Sequence, residues 1–324
     1  MSKPKVAFYW CASCGGCEEA VVDIGEDILK VVEAVDIVFW PVALDFKEDD
    51  LEKVDRLAVS FINGAVRSDD QERVVKLLRE KSDIVVAFGT CACFGGVAGG
   101  LGNLYGGDSM LKRAFIETPS TVNPSGVMPS EKTDTPAGRL TLPPFHETAN
   151  ALRNVIEVDY YLPGCSVPKD LVMYAVSSIL AGKLPAKGSY LMPPDIKGNL
   201  CDVCERKDTL PKNAELKIHE MKRPHQINID TEKCFIAQGL LCMGMATNAG
   251  CGMERTGRCI RVNMPCRGCF GPTEANPDQG TAMLTALAAM LDTSDNEAVG
   301  RLVDSIVDPE GTLYRYTHLS IEGK

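Results

Sequence analysis

Fourteen of the 324 residues are cysteine, at positions 11, 14, 17, 91, 93, 165, 201, 204, 234, 242, 251, 259, 266 and 269. Three of them lie in the run Cys11-Ala12-Ser13-Cys14-Gly15-Gly16-Cys17, which follows a short apolar stretch. Two adjacent glycines allow backbone angles that other residues resist, so a tight turn there points Cys14 and Cys17 at one centre. Two thiolates cannot satisfy a metal alone, and the partners must come from farther along the chain. Cys201-x2-Cys204 and Cys266-x2-Cys269 repeat the spacing, and the remaining cysteines stand alone. Zinc favours closely paired ligands in small modules. Iron–sulfur clusters take four thiolates each and draw on isolated, distant cysteines. The spacings therefore favour clusters, with zinc and disulfides as the weaker alternatives.

The elements that must position these thiols alternate between strand and helix patterns through residues 4–182. Short apolar runs at 5–10, 36–44, 56–62, 83–88 and 155–162 read as strands, and 18–35, 69–81 and 168–180 carry helical periodicity. Such alternation predicts a flavodoxin-like, doubly wound parallel sheet of the α/β class. In open sheets of this kind ligands sit outside the carboxyl ends of the strands. Cys11 follows the first expected strand, Cys91 the fourth and Cys165 the fifth, so Cys14, Cys17, Cys91 and Cys165 can converge at one edge. Residues 95–150 break the pattern with paired glycines and then a proline-rich stretch, which fits a partner-binding loop better than an idle insertion.

From Lys183 to about Gly280 clear periodicity is lost and eight cysteines take over, enough for two sets of four. A stretch so poor in core-forming residues needs metal centres for stability. The expected division is residues 1–185 as the flavodoxin-like domain and 186–324 as a loop-rich cluster domain with C-terminal helices at about 283–290 and 298–306 that pack back on the first domain. The runs 171–180 and 282–291 are the longest apolar candidates and too short to span a bilayer, so no membrane span is expected. A net charge of -10 argues against nucleic acid as a partner. The N-terminus leads straight into a strand without signal-peptide regions, which points to the cytoplasm.

Four motifs carry a family resemblance: Cys14-Gly15-Gly16-Cys17-Glu18-Glu19, Gly89-Thr90-Cys91-Ala92 followed by Gly95-Gly96, Pro163-Gly164-Cys165, and Pro265-Cys266-Arg267-Gly268-Cys269. In this order they resemble the small subunits of nickel–iron hydrogenases. The likeness is greatest to the gamma subunit of the methyl-viologen-reducing type associated with heterodisulfide reductase. Ser166-Val167 stands where that family usually has Pro-Pro. The resemblance implies three [4Fe-4S] clusters. Cys14, Cys17, Cys91 and Cys165 would hold the proximal one, Cys251, Cys259, Cys266 and Cys269 the medial one, and Cys201, Cys204, Cys234 and Cys242 the distal one. Cys201 occupies a position that is histidine in many relatives, and Cys259 is the fourth medial ligand that several relatives lack. Gly16 and Gly96 stand where oxygen-tolerant relatives carry extra cysteines, so an ordinary proximal cluster is expected. Cys11 and Cys93 are left over and read as packing residues.

The resemblance further implies an electron-transfer role beside a nickel–iron large subunit in another chain, with Glu19 linked to proton transfer. Glu18 fits better as a carboxylate favouring the helix dipole. The implied partners are that large subunit, a small iron–sulfur delta-type subunit and a flavin-dependent heterodisulfide reductase-type complex. The competing expectation is an electron-transfer subunit of a related complex without nickel. His146, His219, His225 and His318 show no ligand spacing and read as ordinary histidines, and Glu205-Arg206-Lys207 reads as a solvated charge run.

Overall fold

The computed structural model describes residues 3–210, 218, 220–253, 256–290 and 296–320; His219 and Leu291 lie outside them. Five parallel strands form the central sheet: β1 (Lys5–Trp10), β2 (Asp36–Phe39), β3 (Leu57–Asn63), β4 (Ser82–Phe88) and β5 (Tyr160–Leu162). Their spatial order is β2-β1-β3-β4-β5, and every neighbouring pair is parallel. That is the flavodoxin-like order, and the fold expectation holds.

Alternation along the strands feeds two cores. Val6, Phe8, Val59, Phe61, Val86 and Phe88 face helices α1 (Gly16–Val22), α2 (Ile28–Ala34) and α5 (Lys169–Leu180). Ala7, Ile62, Val85 and Ala87 face α3 (Asp69–Lys81) and α4 (Thr90–Phe94). Helix α3 begins where Ser68 accepts a hydrogen bond from the Gln71 amide, a standard N-cap. The single helix expected over 18–35 is broken, because Gly25 takes φ 66 between α1 and α2. The fifth strand is shorter than expected. Asp159 at its start is buried and accepts from the Val85 amide and Arg79, and residues 152–154 form a 3-10 turn.

Residues 95–150 hold short helical turns, a hairpin (Lys132–Thr135 with Gly138–Thr141) and a strand (Phe145–Asn150) paired antiparallel with Val66–Ser68. Tyr105, Val122, Leu140 and Phe145 are exposed along this arm.

Among the described residues of 200–252 the helical structure is short 3-10 turns joined by irregular segments, as the lost periodicity implies. Two expectations fail here. The second half has an apolar core of its own, built from Leu200, Phe235, Ile236, Leu240, Met243, Met283, Leu287 and Leu302. Helices α6 (Gln279–Ala288) and α7 (Asn296–Ser305) supply Met283, Leu287 and Leu302 to it and do not pack back on the sheet. The segment that does return is 314–319: the Gly96 amide donates to the Tyr316 carbonyl at 3.2 Å, and Leu319 packs against Gly95. Among the described residues no helix is long and apolar enough to cross a membrane.

Candidate functional site

Strand register places the first group of thiols. Trp10 pairs with Asn63, Asn63 with Phe88, and Phe88 with Leu162, so the carboxyl ends of β1, β3, β4 and β5 form one row. The loops leaving that row carry Cys14 and Cys17, Cys91, and Cys165. The Cys17 thiol is pushed up to about 12, first by burial and then by Cys91, Cys165 and Cys14 beside it. Burial likewise pushes Cys91 up to about 11, with Cys165 and Cys14 adding to it. Cys14 and Cys165 are exposed, so the group opens at the protein surface.

Backbone geometry around this group suits a bulky anionic core. The Val167 amide points at Cys17 Sγ, and those of Ala98 and Val97 at Cys91 Sγ. Gly89 and Gly96 have positive φ, and a Cβ on either would stand 2.3 Å from Cys17 Sγ or 2.6 Å from Cys91 Sγ. Only glycine permits both the backbone angle and the approach.

The last eight cysteines fall into two groups. Cys201 is raised first by burial and then by Cys242, Cys204 and Cys234. Cys242 is pushed up to about 11 by burial, although the Cys266 amide donates to it. Cys251, Cys259 and Cys269 are mutual neighbours, and Cys269 is pushed up to about 12 mainly by burial. Cys266 lies next to both Cys242 and Cys269. The groups touch in series. Thr90, beside Cys91, donates to the Cys269 carbonyl at 2.5 Å, and the Cys266 amide donates to Cys242 Sγ at 3.3 Å. The group of Cys269 thus stands between the other two. No three Cys, His, Asp or Glu side chains among the described residues converge on a single metal ion. Four thiolates around one zinc would stand within about 4 Å of each other, whereas a four-iron core holds its ligands farther apart.

Residues 14–179 match the family described as NADH ubiquinone oxidoreductase, 20 Kd subunit. Nearly the whole chain aligns with the iron-sulfur subunit of the F420-non-reducing hydrogenase of Archaeoglobus profundus, at 36% identity over 97% of this chain and 95% of that one. The chain belongs to this family of F420-non-reducing hydrogenase subunits. Another member, from the F420-non-reducing hydrogenase of Methanothermobacter thermautotrophicus, is 35% identical over 97% of this chain and 94% of its own. In fold, this hydrogenase subunit is similar to a solved [NiFeSe]-hydrogenase chain from Dm. baculatum (TM-score 0.52, 17% identity, 84% of this chain and 95% of that one). A [NiFeSe] hydrogenase from Desulfovibrio vulgaris Hildenborough gives the same TM-score and identity, over 84% of this chain and 94% of that one.

The two adjacent glutamates of this hydrogenase subunit are placed differently from one another. Glu19 is exposed at the start of α1. Glu18 lies in the first turn of α1, where the helix dipole favours a carboxylate, but it is buried. It is 4% exposed, accepts from Trp40 Nε1 and Asn63 Nδ2, and burial pushes its carboxyl up to about 7. Asn63 Oδ1 in turn accepts from Ser13 at 2.9 Å, so the carboxyl anchors the Cys14 loop to β3. The strand-end position of Asn63 was the available signal for this network.

Arg206 corrects a second expectation, since it is buried rather than solvated. It donates to the carbonyls of Asp230 and Lys233 and to Asn263 Oδ1, and it lies over the Phe235 ring at 4.2 Å. Cys11 packs in the apolar core that faces α3 and α4, and Cys93 joins that core from α4 itself, so both are packing residues as expected. His146 lies 2.7 Å from Asp69 and His318 3.1 Å from Glu310, while His225 is exposed.

Proposed function

We propose that this chain is the electron-transfer small subunit of a cytoplasmic nickel–iron hydrogenase and holds three [4Fe-4S] clusters. Cys14, Cys17, Cys91 and Cys165 hold the proximal cluster, Cys251, Cys259, Cys266 and Cys269 the medial one, and Cys201, Cys204, Cys234 and Cys242 the distal one. The observation that carries this reading is the serial adjacency of the three groups, with Thr90 beside Cys91 bonded to the Cys269 carbonyl and the Cys266 amide bonded to Cys242 Sγ, as a one-electron relay requires. When bound, the clusters supply one-electron transfer over a range of potentials. The chain's own part is to bury the thiolates, aim amides at their sulfurs and keep bulk water out. The buried thiols would bind iron with release of their protons.

The exposed face around Cys14, Cys165 and Glu19 meets the nickel–iron large subunit, and Glu19 passes protons there. Electrons leave near the distal group toward a small iron–sulfur delta-type subunit and a flavin-dependent heterodisulfide reductase-type complex. Residues 1–185 and 186–324 form the two domains of this arrangement. The apolar arm within 95–150 binds a partner.

The match to the NADH ubiquinone oxidoreductase 20 Kd family favours a second reading, in which the partner lacks nickel and the complex does not act on hydrogen. Purifying the chain with its partner and assaying nickel, iron and hydrogen-dependent viologen reduction separates the two. The expected result is nickel in the partner, hydrogen-dependent reduction and about twelve iron atoms per small subunit. A nickel-free partner would sink the first reading, and iron far below that count would contradict three four-iron clusters.

A further inference from the structure

Loops within 221–225, 241–243, 264–267 and 305–315 wall a cleft of about 510 Å³ in the second half of the chain. Sites for small molecules span roughly 300–1,000 Å³. Met221, Leu241 and Met243 give the cleft an apolar lining, and Lys222, Arg223, Arg267 and Arg315 bring cations to it. Lys222, Arg223 and Arg267 are exposed, and none of the four is ion-paired among the described residues. Arg315 Nε donates to the Gly311 carbonyl at 3.2 Å. The carboxylate in the lining, Asp308, is already engaged, since it accepts from the Gly311 amide at 3.0 Å. Four cations against one carboxylate run counter to the chain as a whole, whose net charge is -10. Like charges gathered without partners repel one another, and a bound anion relieves that repulsion.

Cys266 also lines the cleft. Two thiol groups meet there, because its amide donates to Cys242 Sγ at 3.3 Å, and Leu241 and Met243 flank Cys242. A charged molecule in the cleft therefore stands beside the junction of the middle and last groups. We propose that the cleft binds a small organic anion, a phosphate or carboxylate head on an apolar body, and that its charge biases electron passage across that junction. The arginines take the head and the adaptable methionine side chains take the body. The binding does not depend on the cluster reading above; the electronic effect rests on it. Reduction adds negative charge to a cluster, so an anion beside it disfavours the reduced form.

The test titrates the iron-loaded full chain by calorimetry with hexyl phosphate, hexylmalonate, pyrophosphate and hexyl glucoside. The two hexyl anions should bind more tightly than pyrophosphate, which lacks the body, and than hexyl glucoside, which lacks the charge. Whichever hexyl anion binds tighter identifies the head group. Lys222→Glu combined with Arg223→Glu should keep the parent's iron and weaken both anions about tenfold. In the parent, saturating hexyl phosphate should shift the medial centre's reduction equilibrium about tenfold toward the oxidised form, ~59 mV for one electron, read by redox titration with electron paramagnetic resonance. Absence of binding, hexyl glucoside binding as tightly as the anions, or unweakened binding in the double variant would overturn the site. Binding without the shift would overturn the electronic effect. Should the double variant lose iron, salt decides on the parent: affinity that falls in about 1 M salt, where charges are screened within roughly 3 Å, supports the site, and unchanged affinity overturns it. A parent that binds the anions but holds no iron would overturn the cluster reading and the electronic effect while supporting the site.

Discussion

Phe88 and Phe235 are both 1% exposed, yet they are buried by different means. Phe88 closes β4 in a sheet whose strands hold each other by backbone ladders, and it lies 5.9 Å from Phe61 across the same face. Phe235 sits among turns, under the guanidinium of Arg206, next to the loop that bears Cys234. In the first half, apolar alternation alone explains why the chain comes together. In the second half the apolar core is real, but the segments around it are joined by few ladder bonds and many side-chain-to-carbonyl bonds. The contrast predicts that an equally buried phenylalanine is held by the sheet in one region and depends on bound metal in the other.

Removing iron with a chelator and reductant is the largest test of that contrast. Amide exchange should remain slow in 57–63 and 82–88 and become fast in 200–252, since metal binding to such loops is folding free energy. Protection that survives in 200–252 would show that Leu200, Phe235 and Met283 suffice without metal.

Paired substitutions sharpen it further. Phe88→Ala should cost about 3–5 kcal/mol whether or not iron is bound. Phe235→Ala should cost a similar amount in the loaded protein and little once iron is gone, because the region it packs is then already open. Denaturant titrations of both variants, with and without iron, read this directly; equal costs in both states would erase the contrast.

A buried charge probes the first half alone. Burial by itself would raise the Asp159 carboxyl, but hydrogen bonds from Lys187, Arg79 and the Val85 amide outweigh it and hold it below the usual range. A carboxyl depressed in the folded state stabilises above its unfolded value, about 3.9, and that contribution is lost as pH falls through the folded value. Asp159→Asn should therefore cost about 3 kcal/mol at neutral pH, and the gap to the parent should close below about pH 4. A gap independent of pH would mean that the carboxyl's charge contributes nothing.

The two halves also differed in how far they could be read from residue types. Strands buried on both faces are continuous apolar runs, so β1, β3 and β4 were legible, and α3 was legible from end to end because Ser68 caps it. The break at Gly25 was not, since helical periodicity continues through it. The Cys14, Cys17, Cys91 and Cys165 convergence followed from strand ends, because a parallel sheet has a defined carboxyl edge. The serial contacts of the last eight cysteines did not, because turns impose no such geometry. Arg206 looked solvated between Glu205 and Lys207, and only the tertiary path of 230–235 buries it.

The smallest expected effect separates neighbours that residue type cannot distinguish. Successive helical residues point about 100° apart, so Glu18 turns inward to Trp40 and Asn63 while Glu19 turns to solvent. Glu18→Gln presents its amide to one of two buried N–H donors and should cost about 2 kcal/mol. Glu19→Gln should change stability by less than about 0.5 kcal/mol, as exposed substitutions do. That near-silence makes it informative. If Glu19 passes protons at a partner interface, the variant complex should keep its melting temperature and its cluster spectra while hydrogen-dependent viologen reduction falls. Unchanged reduction would remove Glu19 from the proton route. A loss of stability matching that of Glu18→Gln would instead show that Glu19 is buried in the complex as a structural contact.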